Sequence, residues 1–275
     1  MKRVMNTIAR DSSRDRRIEP VSNLWLVHPL AHALLPVALR VRAPANLISL
    51  IGLMLGAAAA LAFAQWRVAG MPLVALAFAV AWLVADGLDG MVARATGTAS
   101  ALGRLLDGVC DHGSFILMYV AVALSIGTVE GWVLAVAGGA AHALQSNLYE
   151  TERARYHRRV RGVFEVAEQP RTGSRLERGY DRIAALGEAR ALRFDQAMAR
   201  GGENTRRSAE RYGRAAAAPM RAMALLSANT RIVTLTVACL IGAPALFWWF
   251  ELVVLSAVAL MTFLWHRRVE DMTAG

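Results

Sequence analysis

Four aspartates at set intervals are the residues of this chain that could carry out a reaction. They occur in Asp86-Gly-Leu-Asp89-Gly90-Met-Val-Ala93-Arg94 and, eight residues later, in the run from Gly103 through Asp107 to Asp111. The stretches on either side are almost wholly apolar, and carboxylates within or beside membrane segments are costly enough to mark function by default. If residues 71–94 form one helix, Asp86, Asp89, Gly90, Ala93 and Arg94 share a face. A second helix starting near Gly103 would carry Gly103, Asp107 and Asp111 as a stripe one turn apart. A short connection makes the two helices antiparallel neighbours and faces one stripe with the other. Carboxylates so gathered repel unless protonated or bridged by cations. All-oxygen ligands favour hard divalent ions, Mg2+ or Mn2+ first, with Ca2+ also possible. Two such ions would suit phosphoryl or phosphatidyl transfer, in which attacking and leaving oxygens both need stabilising. Gly90, Ala93 and Gly103 leave room for a flat group such as a nucleotide to approach the backbone, and Arg94 supplies a fixed cation for phosphate oxygens.

Charged residues where a helix meets water would account for one pair of acids. They do not account for four acids, three small residues and an arginine at these spacings. The pattern D-x2-D-G-x2-A-R-x8-G-x3-D-x3-D resembles the signature of the CDP-alcohol phosphotransferase (CDP-alcohol phosphatidyltransferase) family at each defining position. The resemblance implies a six-helix membrane enzyme that cleaves a CDP-linked substrate, passes one phosphate-bearing half to a hydroxyl and releases CMP. It implies Asp86, Asp89 and Asp107 as metal ligands, with two Mg2+ or Mn2+ ions per site. Asp111 becomes the general base on the acceptor hydroxyl, also in reach of a metal. Gly90, Ala93, Arg94 and Gly103 become the cytidine diphosphate cradle. Relatives commonly pair as homodimers, so a homodimer is part of the expectation.

Composition agrees with a polytopic membrane protein bearing polar extensions. The chain is 56% hydrophobic with a mean hydropathy of +0.36, yet carries a net charge of +10. Nearly all of the positive charge is arginine flanking apolar runs, which points to anionic lipid headgroups. No nucleic-acid platform of interleaved aromatic and basic residues is present. Cys110 and Cys239 lie in apolar stretches without a partner pattern, so neither a disulfide nor a thiolate metal site is expected. The polar N-terminus and its late apolar run do not read as a cleavable signal peptide.

The expected fold class is all-α: six transmembrane helices, an N-terminal interfacial helix and a cytoplasmic helical insert. Residues 1–42 form a polar tail followed by a proline-interrupted helix from Ser22 to Val41, lying in the membrane surface in preference to crossing it. Residues 43–150 hold four spans. The first opens at Pro44-Ala45-Asn46 and ends at Ala64. Asn46 either reaches a substrate phosphate or caps that helix. The second runs from Met71 to near Ala95, roughly 36 Å at 1.5 Å per residue, the third over residues 101–126 and the fourth over 131–150. Residues 229–275 hold two more spans, at 230–250 and 251–265. Residues 151–228 read as an arginine-rich insert, a solvated charged hairpin or a surface for lipid or a partner helix. Its first stripe passes through Leu176, Tyr180, Ile183, Gly187, Arg190, Phe194 and Ala197, and a second polar helix covers 203–217. Arginines crowd one side of the spans, whereas Arg67, Glu130 and Glu251 fall on the other. The positive-inside rule therefore puts both termini and the aspartates in the cytoplasm of a bacterial inner membrane protein.

The acceptor side is less legible. His142, Gln145 and Tyr149 share a face of the fourth span and could line an acceptor pocket, although any helix leaving a membrane turns polar. If the acceptor bears a phosphate, one or more of Arg153, Arg155 and Arg231 should hold it. The preferred reaction is transfer of a phosphatidyl group from CDP-diacylglycerol to inositol, inositol phosphate or glycerol 3-phosphate. The alternative moves a CDP-linked headgroup onto a lipid hydroxyl of diacylglycerol or ceramide. Membrane prenyl transfer would place its acidic motifs on non-adjacent helices. A cation transporter would spread its acids through the membrane depth, and a scaffold acting through the insert leaves the acids unexplained.

Overall fold

The computed structural model describes residues 15–164, 191–199 and 205–274; within them the side chains at 101, 102, 104, 105, 107, 205 and 274 lie outside the description. The described residues are helical throughout, without strands. Helix α1 begins as a π-helical turn, Asn23–Val27, and continues over His28–Arg40. It is followed by α2 (Ala45–Ala64), α3 (Met71–Thr96), α4 (Ala101–Ile126) and α5 (Val129–Val160). Then come α6 (191–199), α7 (Thr205–Met223) and α8 (Ala228–Leu240). The last helix, α9, runs from Ala245 to Ala274 through a π-helical stretch at Phe250–Leu255.

Local chemistry sets the boundaries. Gly97 and Gly127 end α3 and α4 in the left-handed conformation that glycine adopts without strain. Ser100 and Thr128 then open α4 and α5, each hydroxyl accepting from a backbone N–H three residues on. Among the described residues, four helical segments are long and apolar enough to cross a membrane: α2, α3, Gly108–Ile126 and Ala245–Thr273. The pair Arg206–Leu226 and Ala228–Leu240, bent by 42°, makes a fifth if taken as one span. These helices are consistent with an integral membrane protein. The expected count of six is not reached for two reasons. Glu130, His142 and Gln145 dilute the first half of α5, and the thirteen residues of α8 reach only ~20 Å.

The last two helices also break in a different place from the sequence expectation. The turn lies at Ile241-Gly242-Ala243-Pro244, where Gly242 has a φ of +76°, so 230–250 and 251–265 are not the two spans. A left-handed glycine followed by a proline at the next helix start is strong turn chemistry, which the apolar run on either side obscures. Glu251 consequently belongs to no loop. It sits inside α9, fully buried, paired with the fully buried Arg231 of α8.

Helix α2 is the main neighbour of both α3 and α4. Glycine permits that approach, since a Cβ on Gly56 would come within 2.7 Å of the Ser114 Cβ. One apolar core joins Phe63, Ala79, Trp82, Met118, Val122, Leu235, Phe247 and Trp248. A second seats α1 on α3 through Val27, Ala31, Leu35 and Ala38, leaving Trp25, Leu26, Leu30, Leu34 and Val37 exposed on its other face. A third gathers Tyr156, Phe194, Tyr212, Met220 and Met223 with the far half of α9. Residues 191–199 and 205–223 of the expected insert are therefore packed against α5 and α9 and do not form a solvated hairpin. The stripe from Leu176 to Arg190 lies outside the described residues.

Charge pairs tie this end together. Arg159, fully buried, bonds Asp195 and Glu270, while Arg267 bonds Glu152 and Glu270. Glu19, 4% exposed, accepts from Arg153 at 2.8 Å and lies 3.5 Å from His28, which pins the N-terminal segment to α5. Burial alone would raise the Glu19 carboxyl; the His28 hydrogen bond and the Arg153 guanidinium outweigh it and hold the group down at about 2.

Two predictions follow from these pairs. Removing one partner of a buried ion pair strands the other charge, so Arg231→Met should cost about 3–5 kcal/mol. Adding Glu251→Gln should recover much of that, both read by thermal unfolding in detergent. Glu19 is depressed in the folded state, so its stabilisation is complete above the unfolded value near 4.5 and is lost as pH falls toward about 2. Glu19→Gln should accordingly shrink the loss of thermal stability between pH 5 and 3 relative to wild type.

Candidate active site

Between α3 and α4 the structure holds a cavity of about 390 Å3 lined by both Asp86 and Asp111. The register that puts them there is set one turn deeper, where Trp82 of α3 meets Phe115 of α4 edge to face at 5.3 Å. Asp86 follows Trp82 by four residues and Asp111 precedes Phe115 by four. On antiparallel helices, one turn from that contact brings the two carboxylates across from each other. Asp89 and Asp107 come at the next turn. Asp89 is buried, with its Oδ2 accepting from the Ser49 hydroxyl of α2 at 2.5 Å. Asp107 lies on α4 one turn before Asp111, its side chain outside the described part.

The small residues of the signature open space beside these acids. A Cβ on Gly90 would lie 3.2 Å from the Arg94 guanidinium, so the arginine folds back along the face that Gly90 leaves bare. Ala93 is half-buried and Arg94 exposed. A Cβ on Gly103 would lie 3.6 Å from Oδ1 of Asn46, so the start of α2 and the start of α4 meet at that glycine. Asn46 is thus beside Gly103, and its side chain does not cap α2.

The rest of the wall comes from distant parts of the chain. Pro20, Asn23, Val27 and His28 of the N-terminal segment face Tyr149, Glu150 and Arg153 of α5, and Leu226 through Asn229 at the start of α8 close the third side. Asn229 Nδ2 donates to Asn23 Oδ1 at 2.7 Å, joining the first and third of these. Spacing within the sequence carries no sign that these segments converge. Of the residues weighed for the acceptor, Tyr149 and Arg153 line the cavity, and so does His142.

Gln145, Arg155 and Arg231 are placed elsewhere. Arg231 pairs with Glu251 and donates to Gln145 Oε1 at 2.8 Å, and Gln145 Nε2 donates to the Glu251 carbonyl and the Ser256 hydroxyl at 3.0 Å. Arg155 pairs with Glu152 at 2.6 Å. The buried group nonetheless reaches the cavity wall through Tyr119. Its hydroxyl donates to Glu251 Oε2 at 2.5 Å, which leaves Nδ1 of His142 to donate to the Tyr119 hydroxyl oxygen at 3.0 Å. The His142 ring packs on Phe115 at 4.3 Å, so a bonded chain running back to Arg231 fixes its position one turn below Asp111.

The fit of a divalent ion rests on the donor set. Facing carboxylates on two helices, lining a cavity between an apolar floor and a polar rim, are hard oxygen ligands of the kind Mg2+ and Mn2+ take. A different group, Glu152, His266 and Glu270, also brings its ligand atoms within 4.8 Å of one another. Its chemistry is not that of a cation site. Arg155, Arg267 and His266 already surround Glu152, and Arg159 and Arg267 surround Glu270.

No curated protein was found to match the sequence. Residues 42–158, from the turn after α1 through most of α5, match the sequence model described as CDP-alcohol phosphatidyltransferase. That stretch is similar to the CDP-alcohol phosphatidyltransferase family, whose members are transferases of substituted phosphate groups.

Proposed function

We propose that this protein transfers the phosphatidyl group of CDP-diacylglycerol to the hydroxyl of a polar alcohol, with release of CMP. The observation that carries this is that one cavity is lined by both Asp86 and Asp111 and rimmed by Asn23, His28, Ser146, Tyr149, Arg153 and Asn229. Carboxylates at one end and hydrogen-bonding side chains at the other suit a diphosphate and a small hydroxylated acceptor in contact.

Asp86, Asp89, Asp107 and Asp111 are the residues that would hold divalent ions. When bound, such ions neutralise charge on the diphosphate and on the departing CMP. Gly90, Ala93 and Gly103 leave backbone open to the cytidine, Asn46 stands beside Gly103 for a phosphate oxygen, and Arg94 adds a cation for the same group. Asp111 takes the proton of the acceptor hydroxyl. The hydroxyl oxygen bonds the phosphorus distal to cytidine, and the bond from that phosphorus to the bridging oxygen breaks to free CMP. The apolar helices support a membrane location, and the positive-inside rule supports a cytoplasmic arginine-rich end.

Purified protein supplied with CDP-diacylglycerol, Mg2+ and a panel of polyols should release CMP. Asp111→Asn should lower that rate by about 10²–10⁴-fold, the usual worth of a general base, with an unchanged thermal midpoint. Chelation by EDTA should stop wild-type turnover, and added Mg2+ should restore it. Full turnover in Asp111→Asn removes the mechanism.

A further inference from the structure

Abundant arginine suggests an acceptor that carries phosphate, but the way the arginines are bonded points the other way. Of the three weighed for that task, Arg231 is committed to Glu251 and Arg155 to Glu152. Arg153 does line the cavity, yet it meets two carboxylates, Glu19 at 2.8 Å and Glu150 at 3.5 Å. Among the described residues, no further lysine or arginine lines the cavity. A phosphomonoester would bring about −1.5 to −2 charges to a wall whose one guanidinium is already neutralised. Like charges set together in this way are repelled.

What the wall does offer is hydrogen bonding without net charge. Asn23, Ser146, Tyr149 and Asn229 supply uncharged donors and acceptors along it.

From this we infer that the acceptor is an uncharged polyol. Its hydroxyl groups meet Asn23, Ser146, Tyr149 and Asn229, and Glu19 sets the specificity by cancelling the charge of Arg153. This rests on the transfer reaction proposed above and narrows its acceptor class. A site that needs hydrogen bonds to hydroxyls discriminates strongly against ligands that leave its polar groups unmatched.

The test measures CMP release by the detergent-purified full chain with CDP-diacylglycerol and Mg2+. The acceptors are myo-inositol and glycerol, set against inositol 1-phosphate and glycerol 3-phosphate. Wild type should favour the unphosphorylated member of each pair by at least about tenfold in kcat/KM, in line with the cost of like-charge juxtaposition. Glu19→Gln frees the Arg153 charge and should raise use of the phosphorylated member, narrowing or reversing that ratio. Glu150 is exposed and pairs with the same guanidinium, so Glu150→Gln gives a second variant that should shift the ratio the same way. Wild-type preference for the phosphorylated acceptors, or a ratio unmoved by both variants, overturns the inference while leaving the transfer reaction standing. CMP release with none of the four acceptors removes the transfer reaction and the inference together.

Discussion

Taking a guanidinium out of water costs several kcal/mol unless a carboxylate meets it with good geometry. In this molecule such meetings join segments that lie far apart in the chain. Arg231 of α8 meets Glu251 of α9; Arg159 of α5 meets Asp195 and Glu270; Arg267 of α9 meets Glu152; Arg153 meets Glu19. Buried pairs of this kind add little net stability over apolar packing, but they fix which elements lie together, because a misplaced partner strands a charge. The cavity inherits its shape from that requirement. Its N-terminal wall is held by Glu19 and the position of His142 by the chain through Tyr119 and Glu251.

The aspartate-lined end of the cavity depends on a different kind of contact. Trp82 against Phe115 sets the register of two helices whose main neighbour is α2. Close approach along α2 is possible because Gly52 and Gly56 carry no side chain. Apolar packing positions the helices and the aspartates come with them one turn higher. Neither acid need supply the attraction that brings the helices together, which would be an uphill task for like charges. The gap between α3 and α4 is then left open as the cavity.

The arginine-rich region was the hardest to read from composition. A run of arginines with scattered glutamates resembles a solvated face, and its hydrophobic period is weak. Residues 205–223 nonetheless bury Tyr212, Ala216, Met220 and Met223 against α5 and α9. A helix of modest apolarity becomes core when its neighbours supply both an apolar surface and acceptors for its charges. Glu251 shows the converse: placed by hydropathy at a loop, it lies inside a helix because Gly242 and Pro244 make the turn several residues earlier.

The sequence by itself determined the helical class, the aspartate motif and the relation among its residues within each helix. Those properties follow from spacing: intervals of three, four and eight place Asp86, Asp89 and Arg94, or Gly103, Asp107 and Asp111, on one face wherever the helix goes. Only the tertiary structure decided which charges remain for a ligand and which segments close the cavity. Asn23 and Asn229 meet across some two hundred residues, and whether an arginine serves a substrate or a carboxylate depends on what folds against it. Charge in a sequence can be counted, but its availability is a matter of pairing, and pairing here is made by contacts between remote parts of the chain.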